Sequence, residues 1–175
     1  MQNQQGFTVI EMMVVLSIIA ALAFFAHPFY LTMMQRVESH SVRRHIHEAI
    51  RLAKIESRTR AKDVLICTMV DGACSRSAQS DLVVFVDTNR NNRFDAKDVV
   101  ISKEQLALKY GIISMNVSAG RDYAKFMGDT GKPRGNFGNI KYCNILNQKQ
   151  HSFQVIINMH GLVSERRADR LDIGC

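Results

Sequence analysis

Four sets of residues in this chain could do chemistry. The first is Glu11, a lone carboxylate at the head of an apolar run with no Asp, Glu, Lys or Arg from Met12 to Met34. A carboxylate in such a setting is costly, which predicts a functional role for it. The second set is Cys67, Cys74, Cys143 and Cys175. An even set of cysteines fits a disulfide framework, and four allow three pairings. Cys67 and Cys74 flank Asp71-Gly72, a turn signal, so a clip across a hairpin is expected. Cys143 would then tie down Cys175. The zinc alternative is disfavoured because no C-x-x-C spacing occurs. The third set is the run from Asp87 to Asp98, in which Asp87, Asn89, Asn91, Asp95 and Asp98 place oxygens at positions one, three, five, nine and twelve of a calcium-type loop. The fourth is the arginine group Arg166, Arg167 and Arg170, which could contact successive phosphates.

Each set also has a plainer reading. In the Asp/Asn run, position six is Asn92 in place of glycine, position twelve is an Asp in place of the bidentate Glu, and Arg90 and Arg93 reduce the negative charge. A polar hairpin loop capped by its own side chains is therefore preferred to a metal site, and no cofactor is expected. The arginines alternate with Glu165 and Asp169, so a solvated charged tail is preferred to a nucleic-acid contact. His40, His45 and His47 cluster in sequence; His40 and His47 could share a helical face, and a solvated polar face is again the simpler reading. The chain has no Walker loop, no dinucleotide fingerprint and no G-x-S-x-G elbow, so no enzyme is expected.

These residues need positioning elements. The uncharged run is roughly 35 Å long as a helix, enough to cross a bilayer. It is too long, and lies on the wrong side of the Gly6-Phe7 junction, for a conventional secretory signal. From Tyr30 to about Lys62 there is neither Gly nor Pro, and Val42, Ile46, Ala49 and Ala53 recur at helical spacing. Arg43, Arg44, His47, Arg51, Lys54 and Arg58 fall on the other side, expected as a solvated surface partly balanced by Glu38, Glu48 and Glu56. Contact with neighbouring subunits or anionic ligands is the second reading of that surface. Beyond Asp63 the pattern turns to strands: Val64–Val70, Leu82–Val86, Val99–Ser102, Ile112–Val117, Ile140–Cys143 and Phe153–Asn158, with a glycine-rich turn region from Gly128 to Gly138. One amphipathic helix followed by strands predicts an α+β domain with an antiparallel sheet packed on the helix. The length of 175 residues suits one such domain plus one long helix, and 46% hydrophobic with 22% charged residues excludes a disordered polymer. The net charge of +7 favours anionic partners without naming one.

The opening Gly6-Phe7-Thr8-Val9-Ile10-Glu11, followed by MMVVLSIIAALAFFA, resembles the class III leader and N-terminal helix of type IV pilins and pseudopilins. The Gly-Asn-Phe-Gly loop at 135–138 before a Cys-bearing strand, and Ile157-Asn158 with Gly161, are similar to the FimT/FimU (pseudopilin H-like) group of minor pilins. The resemblance implies the type IV pilin fold. It implies a leader at 1–6 cut by a prepilin peptidase between Gly6 and Phe7, with methylation of Phe7. A transmembrane and filament-core helix is expected at 7–34, with Pro28 where many pilins carry a helix-kinking proline. A periplasmic globular domain is expected at 35–175, including the amphipathic second half of the helix. Glu11 would align subunits by neutralising the amino terminus of a neighbour. The expected function is that of a minor pilin at or near the filament tip that helps start assembly. Its partners would be other minor and major pilins, the prepilin peptidase and the inner-membrane assembly platform. Two alternatives stand beside it: a DNA-binding minor pilin for uptake of double-stranded DNA, and a minor pseudopilin of a type II secretion system. DNA-binding relatives carry a glycine-arginine-x-arginine pattern, where this chain has Leu162 and Ser164. Arg36, Arg43 and Arg44 follow the apolar run, against the positive-inside rule for a periplasmic C-terminal side, so insertion would depend on dedicated machinery.

Overall fold

The computed structural model describes residues 8–78, 81–106, 108–146 and 148–175. One long helix, α1 (Val9–Arg60), is followed by ten strands. These are β1 (Val64–Val70), β2 (Ala73–Ser75), β3 (Ser77–Ala78), β4 (Asp81–Val86), β5 (Val99–Gln105), β6 (Gly111–Val117), β7 (Tyr123–Phe126), β8 (Gly138–Asn144), β9 (Phe153–Ile157) and β10 (Val163–Arg167). The chain divides into two compact units at Arg36 and Val37. The first consists of the apolar part of α1, and its side chains from Thr8 to Phe24 are exposed. α1 is long and apolar enough to cross a membrane. Thr8 starts it: its hydroxyl accepts the Glu11 N–H at 3.3 Å, and Glu11 lies in the first turn, where a carboxylate suits the helix dipole.

The second unit holds the rest of α1 and two antiparallel sheets, where the sequence suggested one. The first sheet has the order β2-β1-β4-β5, with β7 also paired to β1 beside Val64–Cys67; the second runs β10-β9-β8-β6-β3. Val42, Ile46, Ala49, Ile50 and Ala53 of α1 meet Val64, Ile66, Leu82, Val84 and Val86 of the first sheet and Ile113, Met115, Ile140, Phe153 and Val155 of the second. One helical stripe therefore serves both sheets. β1 reads as an unbroken apolar run because both its faces are covered. Its outer face, Leu65, Cys67 and Met69, packs with Val83 and Phe85 under Phe94 and Tyr123. Gly128 marks a close approach: a Cβ there would lie 2.5 Å from the Lys62 backbone nitrogen.

Candidate functional site

At the N-terminus, Gly6 and Phe7 lie outside the described residues. Glu11 is the one acidic residue of the first turn of α1 and is exposed. Pro28 lies inside α1, and the Thr32 hydroxyl donates to its carbonyl at 3.1 Å.

The cysteines sit in pairs. Cys67–Cys74 links β1 to β2 across the Asp71-Gly72 turn, with Cα atoms 5.6 Å apart. Cys143–Cys175 joins β8 to the C-terminal segment over a separation of 32 residues, with Cα atoms 5.4 Å apart. A loop of that size is worth about 3–4 kcal/mol in the chain-entropy model.

The Asp/Asn run between β4 and β5 is a self-capped loop. Asp87 is buried, and its two oxygens accept the N–H groups of Asn91 and Asn92 at 3.1 and 2.9 Å. Asn89 Oδ1 takes the Asn91 N–H and Asn91 Oδ1 the Arg93 N–H. Asp95 accepts both amides, from Asn89 at 2.7 Å and Asn91 at 2.8 Å, and Asp98 takes the N–H groups of Thr88 and Asp95. The Lys97 N–H, then the Asn89 amide, hold the Asp95 carboxyl below the usual carboxylate range. Asn92 adopts the left-handed conformation at φ 59°, as does Arg90. Every oxygen that could have faced a cation is engaged by the loop itself, and no cluster of three metal-ligating side chains occurs among the described residues. What the loop does is carry Phe94 over the first sheet, with its ring 5.1 Å from that of Phe85.

Lys125 of β7 anchors this loop, donating to Asn92 Oδ1 at 2.9 Å and pairing with Asp63 at 2.8 Å. Burial pushes the Asp63 carboxyl up, but the Lys125 ammonium and the Gly128 N–H outweigh it and hold it below its ordinary value. A carboxylate depressed in the folded state stabilises fully above its unfolded pKa of about 3.9 and loses that contribution as pH falls through the lower folded value. Lys125→Met should therefore raise the midpoint of acid unfolding, read by circular dichroism between neutral pH and strong acid. An unchanged midpoint would show that the pair carries no such linkage.

The arginine tail is not the loop expected. Val163–Arg167 is β10, the edge of the second sheet, paired with β9. Successive residues of a strand face opposite ways, so Arg166 and Arg167 do not share a face. Arg167 lies 3.7 Å from Glu165, which also takes Arg43 at 3.3 Å and His47 at 3.4 Å from α1. Arg43 further stacks over Phe153 at 4.9 Å. Arg166 and Arg170 are exposed and have no partner among the described residues. The basic face of α1 is thus partly packed where the sequence suggested open solvent. His45 lies 3.8 Å from Glu104 of β5 and 4.0 Å from Glu48, while His40 is exposed.

Glu38 departs furthest from the sequence reading. It does not balance surface charge. Its carboxylate accepts the Lys109 N–H at 2.9 Å, the Tyr110 N–H at 3.1 Å and the Tyr142 hydroxyl at 2.8 Å. Burial, reinforced by that carboxylate, pushes the Tyr142 phenol far above its usual range, so it remains a donor. Next to it, the buried Ser39 hydroxyl donates to the His151 carbonyl at 2.6 Å. Nothing in the sequence distinguishes Glu38 from the other helix carboxylates, because its partners come from distant segments.

Residues 1–26 match the prokaryotic N-terminal methylation motif, and residues 43–161 match the type II transport protein GspH. The chain belongs to the GspH family. Its fold is similar to the crystal structure of the type IV minor pilin FimU of Pseudomonas aeruginosa strain PAO1, with a TM-score of 0.54 and 12% identity over 77% of this chain and 92% of that one. At such identity the likeness speaks for the fold alone. Comparison with curated proteins found no match. A GspH-family domain behind a methylation motif makes this a type IV pilin-like subunit of the minor pilin and pseudopilin kind, a structural protein and not an enzyme.

Proposed function

We propose that this GspH-family protein is a minor pilin that waits in the bacterial inner membrane with its C-terminal unit in the periplasm, is processed between Gly6 and Phe7, and enters a type IV pilus at or near its tip to help start assembly. The observation that carries this reading is the single carboxylate of Glu11 at the head of a helix otherwise free of charge through Met34 and joined directly to the globular unit. After cleavage the new amino terminus would lie one helical turn before Glu11, the spacing at which the carboxylate of one subunit can meet the ammonium of the next. Prepilin peptidase, other pilins and the assembly platform are the partners this requires. Intact-mass analysis of membrane-extracted protein should show loss of Met1–Gly6 and one added methyl group, and sheared filaments should contain the processed form. A mature N-terminus elsewhere would overturn the reading. Assignment to a type II secretion pseudopilin would follow if deletion abolished secretion and spared piliation.

A second reading, capture of double-stranded DNA, is favoured by one observation: Arg166 and Arg170 are exposed and unpartnered beside a net charge of +7. Phosphate contacts release counterions, so affinity should fall steeply with salt. Arg166→Ala with Arg170→Ala should remove most binding to a DNA duplex at low salt, whereas Arg167→Ala should have less effect because Glu165 already occupies that guanidinium. Equal affinity of the double variant and the wild type would exclude this patch.

A further inference from the structure

We propose that the Ile145–Leu146 turn, with Lys109 and Lys149, forms a foot by which the globular unit rests on the surface of an anionic bilayer while α1 is anchored in it. The inference rests on the reading that α1 crosses the membrane. Glu38 stands in the first turn of the second unit and binds the backbone of Lys109 and Tyr110. The Tyr110 carbonyl in turn accepts the Ile145 N–H at 2.9 Å. These contacts bring the β5–β6 and β8–β9 connections to the end of the unit where α1 continues to Arg36. Along the helix, Met34 and Glu38 are about 6 Å apart, so this end lies at headgroup depth when the uncharged run spans.

The chemistry at this end suits a lipid interface. Ile145 and Leu146 are 54% and 52% exposed, in a turn held by the Leu146 N–H donating to Asn144 Oδ1. Lys109 and Lys149 beside them are exposed, and the Lys109 ammonium sits 5.6 Å from the centre of the Tyr110 ring. Aliphatic side chains that enter the acyl boundary, flanked by lysines that meet anionic headgroups, are the composition of an interfacial contact. An aqueous setting would leave the two adjacent aliphatics uncovered. The foot would hold the unit in one orientation on the membrane before it enters the filament.

The chain contains no tryptophan, so a single introduced one reports its own surroundings. Leu146→Trp in the full chain would be placed in nanodiscs of phosphatidylcholine and phosphatidylglycerol with brominated acyl chains. Leu162→Trp is the control. It is exposed and lies beside Gly161, whose carbonyl accepts from Lys54, about 24 Å along the helix from Glu38. Bromine should quench the residue 146 reporter at least about twofold and leave the residue 162 reporter unchanged. Lys109→Glu with Lys149→Glu should abolish the quenching, as should uncharged nanodiscs. Protein that incorporates into nanodiscs but shows no quenching at residue 146 would overturn the foot and leave membrane anchoring intact. Failure to incorporate would overturn both. Quenching indifferent to lipid charge and to the lysines would refute the anionic contact. A blue shift seen only with two copies per disc would make the patch a subunit interface and refute the proposal.

Discussion

Glu11→Ala is expected to yield a subunit that is cut and membrane-bound yet absent from filaments. Between Met12 and Met34 no other acid exists to take over the role. In a filament core built of such helices, the ammonium of a processed terminus would be buried with one carboxylate as its counterion. Removing one partner of a buried pair costs about 3–5 kcal/mol, because the other charge stays behind uncompensated. At tenfold per 1.4 kcal/mol, incorporation should fall by roughly two to three orders of magnitude. Immunoblots of sheared filaments against membrane fractions measure this ratio. Glu11→Gln should behave nearly as badly, since it keeps shape and loses charge. Wild-type incorporation of either variant would refute the pairing role.

Glu38→Ala should produce the largest loss of fold stability among the helix-surface substitutions. The carboxylate serves two backbone N–H groups and the Tyr142 hydroxyl, all within 3.1 Å. Alanine would leave those donors without their acceptor in a partly enclosed site, at about 1–3 kcal/mol each where water cannot enter. A net loss of about 3 kcal/mol, or roughly 10 °C in Tm for a unit of this size, is expected in detergent-solubilised full-length protein. Tyr142→Phe should cost less, about 1–2 kcal/mol, because it removes a donor and leaves the carboxylate with its two backbone bonds. The two variants should be non-additive when combined, since they share a bond. A Tm within a degree of wild type for Glu38→Ala would show that water replaces the carboxylate at no cost.

The α+β fold class was legible because its signals are local. The uncharged run, the Gly- and Pro-free stretch to Lys62 and the apolar runs of β1 and β4 announce themselves without tertiary information. The second sheet was not legible, because period and propensity say which residues form strands and nothing about which strands pair. β10 escaped for a different reason. Val-Ser-Glu-Arg-Arg has no apolar alternation, since an edge strand with every residue exposed has no core to face. β7 was missed because it is four residues long with Lys125 inside, a lysine whose purpose is visible only once Asp63 and Asn92 stand beside it. The Asp/Asn run was readable as a loop with its caps, but the role of Phe94 over β1 and β4 depends on the fold. Among the candidate contacts, Arg166 and Arg167 looked equivalent in sequence. The pleat separates them, and Glu165 engages one of the two.

The bonds between α1 and the sheets also decide how the subunit would carry force. Glu38, Ser39, Arg43, His45, His47 and Lys54 attach the helix to β5, β10 and the connecting segments along about 24 Å of its axis. A pull along the helix strains these attachments side by side, in shear, so that several must fail together. A pull across it would peel them one at a time from either end. A helix fastened along its flank in this way resists axial tension with bonds that are individually weak, and a filament under load would draw on that geometry before it drew on the strength of either sheet.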